Sequence, residues 1–339
     1  MRFGVGILSE RPQSELATLA TKIEKLGYDN IWIADERFYR DPYVTMANFC
    51  FATQRVQLGT SVTNPYTRYP AVTAAAIASL DELSGGRAVL GIGAGGSNHR
   101  MLGIKREKPA VALREAITVI RRLIAGEKVT YEGQIVKVYD AKLDFQPIRP
   151  HIPVYIAARG PNILELAGEI ADGVIIGGFT SEEGIHYALE HVARGAARAN
   201  RSLDDIDVVS WLYTSISDDP QAARRAVRKL VVISIINSRP IVDEIGLPIP
   251  RKLREALDRH NWSQAPDVLP EYLDLLSEEI IDRFSVSGTV ADCAERIRVL
   301  SKLGIRQMAI LPFATDHDSK EDVVTRFKTE VVSRAFEKP

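Results

Sequence analysis

Eight short apolar runs, most of them followed by an amphipathic stretch, set the strongest limit on how this chain can fold. The runs are Phe3–Leu8, Asn30–Ala34, Val56–Thr60, Ala88–Gly93, Val154–Ala157, Gly173–Ile176, Asp207–Thr214 and Gln307–Leu311. Most are rich in Val, Ile and Leu without clean alternation, as in parallel strands covered on both faces. Helices are predicted over Ser14–Leu26, Pro42–Thr53, Pro70–Leu83, Ala110–Ala125, Asn162–Ile170, Glu182–Asn200, Pro220–Asn237, Val290–Leu303 and Lys320–Ala335. The joints repeat as well. IEKLGYDNIWIAD and LSKLGIRQMAILP share an apolar helix end, a glycine stop, a polar spacer and a strand. Gly27 and Gly304 suit the position just past a helix, where a left-handed residue closes it. Eight βα units favour a closed (β/α)8 TIM barrel of the α/β class over an open sheet.

Two stretches break the rhythm. VTYEGQIVKV, Val129 to Val138, reads as a β-hairpin after helix four, with its turn at Glu132-Gly133. Ser238 to Asp282 holds several prolines and short helical patterns, and is expected to form a helical insertion after strand seven, capping the site. All 339 residues are read as one barrel domain.

Net charge is −1, from 43 basic and 44 acidic residues without a block of one sign, which argues against nucleic acid or an acidic membrane as partner. Cys50 and Cys293 lie far apart with no metal-ligand spacing and read as core residues in a reducing compartment. MRFGVGILSE starts directly as a strand, without the form of a signal peptide, and no apolar run reaches the roughly 20 residues of a membrane helix. A cytoplasmic location is expected.

Strand three ends oddly. Val56–Thr60 runs into Ser61-Val62-Thr63-Asn64-Pro65 without a turn signal, and Pro65 holds Asn64 extended. A helix must wait for Pro70, a good first helical residue. Stiff polar backbone therefore sits at the carboxyl end of a strand, where parallel α/β folds bind ligands. Gly91-Ile92-Gly93-Ala94-Gly95-Gly96 follows strand four in the G-x-G-x-x-G pattern, yet no helix opens on it and no acid closes a following strand. Its bare N–H groups suit close approach to a ring or phosphate. Ala157-Ala158-Arg159-Gly160-Pro161 and Gly177-Gly178-Phe179-Thr180 are further small-residue strand ends, and helix starts beside glycine and Thr suit a phosphate. Together the three clusters point to a phosphorylated cofactor.

Asp35-Glu36-Arg37 follows strand two; Asp35 and Glu36 are the candidate acid–base groups, Asp35 foremost because it abuts the strand. His186 and His191 are expected on a surface helix, at the wrong spacing to share a metal; His99 beside the glycines is the one histidine kept as a candidate. Trp262 is a candidate pocket residue. No HExxH, GxSxG or CxxC occurs, so metalloprotease, serine hydrolase and zinc-module chemistry lack support. No metal is expected.

GTSVTNPYTRYPAV, LGIGAGGSN and IAARGPNILELAGEIADGVIIGG together resemble the bacterial-luciferase-like superfamily, and within it the coenzyme F420-dependent branch of the methylenetetrahydromethanopterin reductases. The resemblance implies a non-prolyl cis peptide between Ser61 and Val62, whose bulge backs the deazaflavin ring. It places Asp35, Ser61, Val62, Thr63, Gly95, Gly96 and Asn98 at the ring, then Ala157, Ala158, Arg159 and Gly160. Gly177 and Gly178 would hold the phosphate end. The implied activity is hydride transfer between the deazaflavin C5 and a small organic substrate such as a methylene-tetrahydropterin, in a homodimer. Gly6 stands where the methanopterin reductases carry an acid, and Glu36 where the related sugar-phosphate dehydrogenases carry a His, so the resemblance leaves the proton donor unassigned. An FMN-dependent monooxygenase or reductase and a non-catalytic cofactor-binding paralogue are the alternatives.

Overall fold

Among the described residues, five helices have proline as their first residue, where the missing N–H costs nothing and the fixed φ favours the helix. That punctuation and the buried β-rich runs between the helices produce a (β/α)8 barrel with parallel strands. A computed structural model describes residues 1–36, 38–95 and 101–336. These form two compact units: Arg2–Ile175 with His191–Asp207, and Ile176–Glu190 with Val208–Pro339 and Met1.

The first unit runs β1 (Arg2–Ile7), α1 (Gln13–Lys25), β2 (Asn30–Ile33), α2 (Pro42–Ala52), β3 (Gln57–Thr60), α3 (Pro70–Ser84), β4 (Ala88–Gly93), α4 (Pro109–Ile124), β5 (Val129–Glu132), β6 (Lys137–Ala141), β7 (Val154–Ala158), α5 (Pro161–Ile170) and β8 (Gly173–Gly177). Its barrel strands lie in the order β1-β2-β3-β4-β7-β8. β2 and β4 are buried along their whole length, as expected of strands covered on both faces. Gly27 ends α1 at φ 81°, as its sequence context demands. α6 (Glu182–Arg198) follows. His191 on it is buried rather than on the surface: its ring meets Glu165 at 3.0 Å, and Arg198 holds the same carboxylate.

The second unit holds β9 (Asp207–Ile216), α7 (Pro220–Asn237), α8 (Arg239–Glu244), α9 (Arg251–Arg259), α10 (Leu269–Asp274), α11 (Glu278–Phe284), β10 (Ser285–Gly288), α12 (Val290–Leu300), β11 (Gln307–Pro312), α13 (Lys320–Arg326) and α14 (Val332–Phe336). Its strands lie in the order β10-β9-β11, all parallel. The inserted segment is helical, as expected. Trp262 lies in the inserted segment. It is buried, its indole N–H donates to Asp258 at 2.8 Å, and the Arg239 and Arg254 guanidinium groups lie 4.9 and 5.6 Å from the ring. β10 is an addition that a four-residue, serine-rich stretch does not announce. The C-terminal helix is broken by a π turn over Phe327–Val331. No described helix is long and apolar enough to cross a membrane.

The hairpin formed by β5 and β6 pairs Glu132 with Lys137, so residues 133–136 connect the strands and the turn is wider than a two-residue Glu-Gly corner. A carboxylate organises it. Glu115 on α4 accepts N–H bonds from Gln134, Ile135 and Val136 at 2.7, 2.9 and 2.8 Å. A Cβ on Gly133 would lie 2.4 Å from that carboxyl carbon, so a larger residue there would have to displace the carboxylate. Burial pushes the Glu115 pKa up, but the three backbone donors outweigh it and hold it below the ordinary 4.5. Because the native pKa is lowered, this stabilisation is fully present above pH 4.5 and fades as pH falls through the native value. Glu115→Gln should cost about 2 kcal/mol in denaturant unfolding at pH 7. The difference from the parent should shrink below pH 4.5.

Candidate active site

β3 carries one residue more than its partner strand. Gly59 pairs with Val89, but the next bridge joins Thr63 to Ile92, four residues on against three. The extra residue makes a β-bulge, and the peptide inside it, Ser61–Val62, is cis. Main-chain bonds hold both ends: Ser61 N–H donates to Ile33 O at 2.7 Å, Thr63 N–H to Gly91 O at 3.0 Å, and Gly93 N–H to Thr63 O at 2.8 Å.

The glycines of β4 are shaped to this bulge. A Cβ on Gly91 would sit 1.9 Å from the Thr60 carbonyl oxygen, and one on Gly93 would sit 2.7 Å from Val62 Cγ2. Their N–H groups are already used, by the Thr60 hydroxyl at 3.1 Å and by Thr63 O. The expectation that they offer bare donors to a ligand is therefore corrected: these two glycines receive a neighbouring strand. Gly95 is different. It is half-buried at φ 75°, with its carbonyl accepting from Arg106 at 3.3 Å. Gly96 and Asn98, like His99 and Arg37, lie outside the described residues.

Asp35 lies just past β2, half-buried, with Glu36 partly buried beside it. Burial, the largest influence, pushes the Asp35 carboxyl above its ordinary range; Thr63 and Arg68 pull it down, and Asp41 adds to the rise. Thr63 acts through proximity rather than an aligned bond, because its Oγ1 is buried with no hydrogen-bond partner among the described residues. Tyr43 on α2 brings a second such hydroxyl, buried and unpaired, near the same carboxyl. Arg68 lies over the Tyr43 ring at 4.4 Å and meets Asp41 at 2.5 Å. Asp41 in turn caps α2 through the N–H groups of Tyr43 and Val44. Tyr43 and Arg68 were not singled out in the sequence.

On β7, Ala157 pairs with Gly93, and Ala157 and Arg159 are half-buried while Ala158 is buried. Gly160 caps α5 with its carbonyl, and a Cβ added there would meet nothing within 4 Å. In the second unit Gly177 is half-buried, and Gly178 is buried at φ 81°. Thr180 donates its hydroxyl to Asp282 O at 3.0 Å, so it is committed within the fold. α6 opens with Glu182 and Glu183, which oppose an anion at its start.

Comparison with known proteins places this geometry. The luciferase-like monooxygenase family model matches residues 1–307. The chain belongs to that family. Among relatives of this luciferase-like chain, the 5,10-methylenetetrahydromethanopterin reductase of Archaeoglobus fulgidus is 37% identical, the match covering 91% of this chain and 92% of that one. The same enzyme of Methanolobus tindarius is 35% identical over 91% and 93%. The structure of the coenzyme F420-dependent tetrahydromethanopterin reductase of Methanopyrus kandleri matches with a TM-score of 0.85 at 30% identity, covering 98% of each chain.

The bulge gives two contrasting glycine substitutions. Gly91→Ala drives a methyl into backbone and should cost about 3 kcal/mol or more by thermal or denaturant unfolding. Gly160→Ala meets open space and should stay within about 0.5 kcal/mol of the parent.

Proposed function

We propose that this chain is a coenzyme F420-dependent oxidoreductase that moves a hydride between C5 of the deazaflavin and a small organic substrate, a methylene-tetrahydropterin. The observation that carries the reading is the 37% identity to a methylenetetrahydromethanopterin reductase along 91% of the chain. The residues present fit a flat heterocycle with carbonyl and ring-nitrogen edges. Two buried hydroxyls, Thr63 and Tyr43, lack partners beside a half-buried carboxyl, and Gly160 leaves open space at the start of α5.

Ser61, Val62 and Thr63 would hold the ring, with Asp35, the Gly95 backbone and Ala157 to Gly160 around it; Gly96 and Asn98 join them on the resemblance, and Gly177 and Gly178 are the candidates for its phosphate end. Once bound, the cofactor supplies the hydride chemistry. The chain's own part is to orient the reactants and keep water out. Asp35, whose carboxyl burial raises above its ordinary range, is the candidate acid, with Glu36 as the second. The same reading puts the enzyme in the cytoplasm, consistent with Cys50 and Cys293 both being free and buried.

Titrating the protein with F420, FMN and NAD in parallel tests the class. Tight binding of F420 and hydride exchange with a methylene-tetrahydropterin are expected; tight yellow FMN with oxygen uptake would overturn the reading. Asp35→Asn should lower turnover by about 100-fold, within the usual range for a general acid–base group, with unfolding little changed.

A second copy of the chain is the proposed partner. α2 leaves Val44 59% and Phe51 76% exposed, and α3 leaves Val72 55% exposed, an apolar surface that favours cover. Light scattering should give about twice the 37.5 kDa chain mass, and Phe51→Glu should halve it. A monomeric parent protein would refute the dimer.

A further inference from the structure

Two hydroxyls of the first unit weaken the fold as it stands. Thr63 Oγ1 and Tyr43 Oη are both buried, and neither has a hydrogen-bond partner among the described residues. Valine and phenylalanine would fill the same volumes without burying an unsatisfied polar atom. The two side chains come from different elements, one from the segment after the bulge and one from the first turn of α2; Thr63 neighbours the Asp35 carboxyl, and Tyr43 neighbours Thr63. Among the described residues, the other charged groups bearing on that carboxyl are Arg68 and Asp41, which pair with each other at 2.5 Å. Asp35 is thus the group on which the two hydroxyls can act.

We propose that Tyr43, working through the Thr63 hydroxyl, is a positioning residue that lets Asp35 release and regain a proton during turnover. The inference rests on the reading of Asp35 as the acid of the proposed reaction. When the proton leaves the carboxyl for substrate, the carboxylate left behind accepts from the Thr63 hydroxyl, which in turn accepts from Tyr43. When water returns the proton, the hydroxyls relax. Long contacts that tighten only in the working complex are usual for catalytic hydrogen bonds. Burial raises the Asp35 pKa, and donors to the charged form offset it.

The test reads Asp35 directly, by carbon NMR of labelled aspartate across pH in the protein without cofactor. Tyr43→Phe and Thr63→Val should each move the Asp35 midpoint to higher pH, and Thr63→Ser should restore it. Both isosteric variants should match or exceed the parent in thermal midpoint, since each removes a buried unpaired hydroxyl. In turnover, the limb of the pH profile due to Asp35 should move the same way, with activity at pH 7 down about tenfold, a smaller loss than for the acid itself. An unchanged Asp35 midpoint in both Tyr43→Phe and Thr63→Val overturns the proposal. A shifted midpoint in a protein that binds no deazaflavin would sustain the link between the residues and sink the functional reading instead.

Discussion

The fit of one strand's extra residue against the next strand's missing side chains underlies the site. Thr60 O and Val62 occupy the space that Cβ atoms of Gly91 and Gly93 would fill, and three main-chain bonds hold the bulge ends to β2 and β4. Without those glycines the chain past Thr60 could not rejoin the sheet at Thr63. Thr63 would then not stand beside Asp35, and the end of β3 would lose its form. At Gly91 the contact is with the Thr60 backbone, so no side-chain rotamer change can relieve a misfit there, whereas at Gly93 it is with the Val62 side chain.

Elsewhere, carboxylates, one buried and one half-buried, do the work that caps and turns do in simpler loops. Glu115 gathers three N–H groups of the hairpin connection, and Glu24 on α1 does the same for Gln54, Arg55 and Val56 before β3. In both, burial raises the pKa and backbone donors more than offset it. Asp35 goes the other way: burial prevails over its neighbours and its pKa is raised. The two structural carboxylates each accept from three backbone N–H groups, whereas the candidate catalytic one has the Thr63 hydroxyl as its neighbour.

Much of this was legible in order along the chain. Apolar runs bounded by glycine and proline located eight barrel strands, and helix starts fell within a residue of those observed because Pro42, Pro70 and Pro220 mark them physically. β10 was missed because Ser285–Gly288 lacks an apolar run and becomes a strand only by pairing with Tyr213–Ile216. His191 read as exposed because its partner, Glu165, is 26 residues away on another helix. The G-x-G pattern was legible as unusual, but its reason was not: nothing local tells Gly91 that Thr60 will lie against it.

The order of strands and helices, the place where β3 must end irregularly, and the glycine stops at Gly27 and Gly304 follow from the amino acids alone, since each depends on backbone preferences within a few residues. The cis Ser61–Val62 peptide was anticipated through family resemblance rather than through local preference. Which glycines face a neighbouring strand, which carboxylates are saturated, and that Tyr43 and Thr63 meet at Asp35 were decided by the tertiary structure. Those properties are distances between residues far apart in the chain, and only closing the sheet sets them.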